Sequence, residues 1–166
     1  MGAGTPYSAI LLKPFTTAIS ETFESMCHTP VTLKRGFNRS DPFPAGAGMS
    51  GIIGLAGRWC GSVTLHVPST TACAVIGRMT GMQFPAVCPD VADGIGELTN
   101  IIAGRAKCLL IEQGLHFTIS LPKVAYGDSY SVTQDSHIPC LALEFTGDVG
   151  LMWVDVVLVE PAPDVT

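Results

Sequence analysis

The sequence is short of charge. Lysine, arginine, aspartate and glutamate make up 14% of its 166 residues, and aromatic residues only 7%. Acidic groups outnumber basic ones by 14 to 9, for a formal net charge of −5. No basic stripe is left to neutralise phosphates, which argues against a nucleic-acid partner. Long apolar runs are also missing. The nearest, Ala45 to Gly57, is short and glycine-rich, so no membrane-spanning helix is expected. No basic region followed by an apolar run opens the chain, so no secretory leader is expected. Gly2 follows Met1, but Pro6 stands where a myristoylation pattern needs Ser or Thr. There is no C-x-x-C. Cys27, Cys60, Cys73, Cys88, Cys108 and Cys140 are scattered, and His28, His66, His116 and His137 are isolated. The cysteines read as reduced thiols in apolar neighbourhoods, as suits a cytoplasmic protein, and no metal set is expected. His66, in the run Ser62 to Val67, reads as a strand residue rather than a ligand.

What the chain does have is apolar residues, at 47%, enough for one domain over 1–166 with a single core. Phe15, Ile19, Thr22, Phe23 and Met26 recur at helical spacing. The reading is a helix with Pro14 in its first turn, stopped by Thr29-Pro30. Val31 to Arg35 alternates as a short strand, and Ser40 to Gly48 is a loop. Met49–Ala56 and Ser62–Val67 read as a hairpin across Gly57 to Gly61, with Trp59 turned to the core. A helix opens at Pro68-Ser69, with Ser69 as N-cap, and ends at Gly81. A longer helix runs from Pro89 or Asp90 to Gln113, closed by Gly114. Leu115 to Leu121 alternates as a strand that Pro122 ends or places at an edge. Tyr126 to Gln134 is polar and turn-rich. Ile138–Phe145 and Val149–Val159 form a closing hairpin. The ends, Met1–Thr5 and Glu160–Thr166, read as loose.

The long helix carries a polar stripe. At about 100° per residue, Asp93, Glu97, Asn100 and Gly104 share a narrow arc. Ile95, Leu98, Ile101, Ile102 and Leu109 supply the core face. Asn and Gly are poor helix formers, and small residues (Gly94, Gly96, Ala103, Ala106) flank the stripe, so another surface can approach closely. Glu97 and Asn100, three apart, can reach one point off the helix. Most such pairs are plain solvated surface, and Asp93 also suits the positive end of a helix dipole. A weak duplication adds a clue: Ser20-x-x-x-Glu24-x-x-Cys27 on the first helix runs in register with Asp93-x-x-x-Glu97-x-x-Asn100, but Cys27 lacks a carboxamide.

Asp93-x-x-x-Glu97-x-x-Asn100, then Ile101-Ile102-Ala103-Gly104-x-Ala106-Lys107, and Ile119-Ser120-Leu121-Pro122 with 21 residues (101–121) between Asn100 and Pro122, resemble the CheX branch of the CheC/CheX/FliY chemotaxis phosphatases. The likeness runs from about Pro14 to Val159. It implies an α+β fold of CheC type. Two pseudo-duplicated helix-plus-hairpin halves would build a mixed or antiparallel sheet of about six strands with long helices on one face. It also implies an enzyme that removes the aspartyl phosphate of a CheY-like receiver domain. Asn100 would orient the attacking water and Glu97 would pair with the receiver's active-site lysine. Asp93 and Gly104 would support the contact, and Pro122 would shape the adjoining strand end. The resemblance implies no cofactor of the chain's own, with Mg²⁺ supplied by the phosphorylated receiver. Members of this branch resemble dimers joined sheet edge to sheet edge, which the strand content allows.

Two other readings fit the residues. One is a binding module of the same fold that docks a receiver domain or flagellar component without catalysis, favoured if Glu97 and Asn100 are buried or point inward. The other is a hot-dog-type thioesterase, favoured if a pantetheine-sized tunnel runs beside Glu97.

Overall fold

The computed structural model describes residues 7–41, 48–127, 130–132, 135 and 137–160. Helix α1 spans Tyr7–Cys27 and strand β1 Val31–Arg39. The hairpin β2 (Met49–Ala56) and β3 (Cys60–Val67) precedes α2 (Ser69–Thr80) and α3 (Pro89–Ile111). Short strands β4 (Thr118–Ile119) and β5 (Lys123–Tyr126) follow, then the hairpin β6 (Cys140–Gly147) and β7 (Gly150–Val159). All seven strands form one antiparallel sheet in the order β1-β6-β7-β3-β2, with β4 and β5 both on the outer side of β2. The α+β class is as expected, with seven strands instead of about six.

The order of strands exposes the duplication. The strand that follows α1 lies outside the second hairpin, and the strand that follows α3 lies outside the first. Each half of the chain thus completes the sheet of the other, and α2 is the element without a counterpart.

Register places the helices on one face. Gly36, Leu143, Val154, Leu65, Gly51 and Val124 form one row across six strands. At one end of this row a Cβ on Gly36 would meet Leu12 of α1 at 3.2 Å. At the other end a Cβ on Gly51 would collide with Thr99 of α3. The glycines let both long helices lie close on the same sheet face. One hydrophobic cluster fills the space between, including Phe15, Ile19 and Phe23 of α1, Ala72, Val75 and Ile76 of α2, and Ile95, Leu98 and Ile102 of α3. Trp59 packs on its margin, as its turn position led one to expect.

Several local readings need correction. Pro14 is not in the first turn of α1: the helix starts seven residues earlier, at Tyr7, and keeps Pro14 inside it. The missing N–H there costs one intrahelical bond, while Leu11 and Phe15 on either side are buried, so packing overrides the local preference. Ser69 does not cap α2. Pro68 holds the N-cap position, with no side-chain cap bond, whereas Gly81 closes the helix in the left-handed conformation as read. α3 ends at Ile111, and Gly114 follows in a turn with φ +85°. β1 continues to Arg39, past a bulge between Leu33 and Arg35 that breaks the alternation. The run Leu115–Leu121 is a strand only at Thr118–Ile119, and Cys108 is exposed rather than apolar in its surroundings. The six cysteines are all free. Glu160 pairs with Arg58 at 2.8 Å. Met1–Thr5, the centre of the Ser40–Gly48 loop, parts of Tyr126–Gln134 and the tail after Glu160 lie outside the described residues.

Candidate active site

α3 buries Val91, Ala92, Ile95, Leu98, Thr99, Ile102, Ala103 and Ala106 on one side. Ile101 and Leu109, also assigned to the core, are only half-buried. The opposite side is the polar stripe. Asp93 and Glu97 are exposed, and Asn100 and Gly104 half-buried. A Cβ on Gly104 would meet nothing within 4 Å. Two glycines let neighbours crowd the helix beside the stripe: a Cβ on Gly94 would stand 2.8 Å from Ile76 of α2, and one on Gly96 3.2 Å from Val124 of β5.

Strand β5 therefore walls the stripe. Pro89, Ala92, Asp93, Gly96 and Glu97 from α3, with Pro122, Val124 and Tyr126 from the β4–β5 segment, line a notch of about 380 Å³. The structure brings Asp93, Glu97 and Pro122 together there. Asn100 lies one step further along the same helix face, outside the notch lining, and Gly104 one turn beyond it. Asp90 is the acidic residue in the first turn of α3, where the partial positive charge of the helix N-terminus favours it, whereas Asp93 and Glu97 lie beyond that turn. Among the described residues no group of three or more His, Cys, Asp and Glu side chains could hold a metal ion. Tyr126 and Val124 were not singled out in the sequence. Tyr126 was read as the start of a turn-rich stretch, but it ends β5, where positions 124 and 126 share a face and 124 packs on Gly96 of α3.

The corresponding stripe on α1 does not form a second site. Cys27 is fully buried, and burial pushes its thiol pKa up to about 11. Beside Glu24, Glu21 is engaged with Arg105 of α3 at 2.6 Å, which holds its carboxyl below the usual value.

A second polar cluster lies on the sheet face away from the helices. His66 Nε2 is 3.1 Å from Asp155 Oδ2, and its Nδ1 is 2.7 Å from Ser50 Oγ, which is 2.9 Å from the Tyr130 hydroxyl. Arg39 pairs with Asp155 at 3.4 Å. A Ser-His-Asp chain invites comparison with a nucleophilic triad. Ser50 and His66 are fully buried, however, and the serine oxygen already has two partners, so the chain joins strands instead of attacking a substrate. His66 is a strand residue, as read.

The fold is that of solved chemotaxis proteins. CheX from Desulfovibrio desulfuricans is 26% identical, with 89% of this chain and 99% of that one aligned and a TM-score of 0.81. A CheC-like superfamily protein from Shewanella sp. PV-4 is 23% identical over 90% and 97% of the two chains, with a TM-score of 0.82. The CheX–CheY–BeF₃–Mg²⁺ complex from Borrelia burgdorferi contains a chain 24% identical over 90% and 98%, with a TM-score of 0.78. No curated protein matches the sequence. The model of the family chemotaxis phosphatase CheX matches residues 49–146, more than half the chain, and the chain belongs to that family.

Proposed function

We propose that this chain hydrolyses the aspartyl phosphate of a CheY-like receiver domain, with Asn100 and Glu97 as the working pair. The observation that carries the reading is their position: on a member of a phosphatase family, Glu97 projects from the outer face of α3 and Asn100 follows on the same side. In the hydrolysis, water attacks phosphorus, the bond to the aspartyl oxygen breaks, and the receiver's carboxylate and inorganic phosphate result. The water must arrive in line with the breaking bond. A carboxamide can both accept from and donate to that water, which assigns Asn100 the orienting role. A carboxylate at the same point would repel the phosphate. Glu97, one step aside, instead pairs with a lysine of the receiver and fixes the approach. Asp93 adds negative charge beside that contact, Pro122 shapes the far wall of the notch, and Gly104 leaves space for the partner's surface.

The Borrelia complex, which brings CheX, CheY, BeF₃ and Mg²⁺ together, supports a receiver as partner and a Mg²⁺ that comes with it. Mg²⁺ bound by the receiver supplies charge neutralisation at the phosphate. A receiver domain as substrate would place this chain in the cytoplasm. No helix among the described residues is long and apolar enough to cross a membrane. The thioesterase reading loses support because Glu97 is exposed and α3 lies on a sheet face beside two other helices. The non-catalytic module, favoured if both residues are buried or turned inward, loses support because Glu97 is exposed and Asn100 only half-buried.

The test is the decay of phosphorylated CheY-like receivers with Mg²⁺, alone and with this protein. Acceleration by wild type, abolished in the Glu97→Ala/Asn100→Ala double variant, supports the proposal. Equal decay with and without wild type across the receivers of its own cell contradicts it.

A further inference from the structure

The segment between β4 and β5 holds an anomaly that the proposed chemistry leaves unused. Alternation along Leu115, Phe117, Ile119 and Leu121 would turn Leu121 inward with the others. Leu115 and Phe117 are indeed buried, but Leu121 is 87% exposed, the most exposed large apolar side chain among the described residues. It does not sit on a loose loop. The Ser120 N–H donates to the Gly54 carbonyl at 2.9 Å, and the Ser120 hydroxyl accepts from the Gly54 N–H at 2.8 Å. The same hydroxyl donates to the carbonyl of Leu121 itself at 2.9 Å. On the other side β5 is paired to β2 from Lys123 to Tyr126. The chain is pinned before and after Leu121, and Pro122 restricts the joint. Tyr126, 47% exposed, lies beside the notch at the other end of β5.

We propose that Leu121, seconded by Tyr126, is an apolar docking anchor that seats the receiver domain over Glu97 and Asn100; this rests on the phosphatase reading and names the surface that reading needs. A rigidly held apolar side chain loses little conformational freedom on binding, which is how an anchor residue gains affinity. It directly precedes Pro122, which lines the acidic notch. The occupant must therefore bring an apolar depression beside a cationic group. Charge separates the candidates. A second copy bound across the notch by a two-fold axis would set Asp93 and Glu97 against their own copies, whereas self-association edge to edge through the outer strands is the outcome that solution mass reads. An anionic lipid surface would meet the same two carboxylates on a chain of net charge −5. A receiver face with a lysine beside its phosphorylated aspartate is complementary.

The experiment measures binding of BeF₃⁻-activated receiver with Mg²⁺ to wild type, Leu121→Ser and Leu121→Met, alongside phosphoreceiver decay and solution mass. Leu121 touches solvent, so its variants fold. Leu121→Ser should weaken binding about tenfold or more and raise KM with kcat within about twofold. Leu121→Met, similar in size and apolarity, should bind nearly as wild type. Unchanged binding in Leu121→Ser overturns the proposal, as does a change of solution mass from dimer to monomer, which would assign the leucine to self-association. A receiver that binds through Leu121 but decays no faster overturns the phosphatase reading and leaves the anchor standing. Absence of binding by wild type overturns both.

Discussion

A histidine in an alternating strand reads as an outward residue. His66 does leave the helix-packed face, yet it is buried in a chain of hydrogen bonds from Asp155 through Ser50 to Tyr130. A carboxylate only accepts, so Nε2 donates toward Asp155, while Nδ1 bonds the Ser50 hydroxyl. Replacing His66 by Leu leaves two buried partners short of a bond, and should lower stability by about 2 kcal/mol or more in urea titrations. No change in midpoint would show the chain to be incidental. Gly104 behaves oppositely. Its site is open, so Gly104→Ala should raise stability by about 0.5–1 kcal/mol through helix propensity. If Gly104 leaves room for the partner, the same variant should bind receiver more weakly. These two residues mark the range of what single positions reveal. The Gly104 stripe was legible from periodicity, whereas the His66 network joins strands distant in sequence, and no spacing encodes it.

Among the elements, α3 was the most legible, because a 3.6-residue period over 23 residues leaves little choice about which face is buried. The short elements were less so. β1 is an edge strand whose bulge scrambles alternation, and the Leu115–Leu121 run obeys an alternating pattern that Ser120 and Pro122 then break. Pro14 shows the same limit: its N1 preference is real, but the turn before it is held by packing on the core. Ion pairs that fasten elements were invisible in sequence. Arg78 of α2 grips Asp148, in the β6–β7 turn, with two bonds of 2.9 Å. This holds the Asp148 carboxyl below its ordinary 3.8. A carboxyl lowered on folding stabilises the fold above its unfolded value and stops doing so as pH falls through its lower folded value. The stability gap between wild type and Arg78→Met, read from urea midpoints, should therefore be widest near neutrality and narrow below about pH 4. A gap that stays constant with pH would mean that Arg78 acts through its bond to the Thr29 hydroxyl at 2.8 Å and its packing, and not through Asp148.

At the scale of the molecule, the exchange of edge strands between halves makes the two long helices equivalent in the fold but not in chemistry. α3 displays Glu97 and Asn100 beside a notch, while α1 buries Cys27 at the matching position. The duplication in the sequence was faint; the strand order makes it plain. The quoted motifs of the family resemblance lay in one helix and in Ile119-Ser120-Leu121-Pro122 downstream, although the likeness ran from about Pro14 to Val159, and those two pieces meet where α3 packs against Pro122 and β5. Leu121 was read only as the end of an alternating strand and as part of the family motif, and its exposure shows only in the structure. The central claim is that Asn100 places the water. It is tested most directly by the decay of phosphorylated receiver with Mg²⁺ under saturating Asn100→Ala, with binding of the BeF₃⁻-activated receiver measured in parallel. The account predicts binding close to that of wild type and a decay rate near that of the receiver alone. Acceleration retained within about threefold by the variant would remove Asn100 from the chemistry, since loss of a water-orienting group costs on the order of a hundredfold.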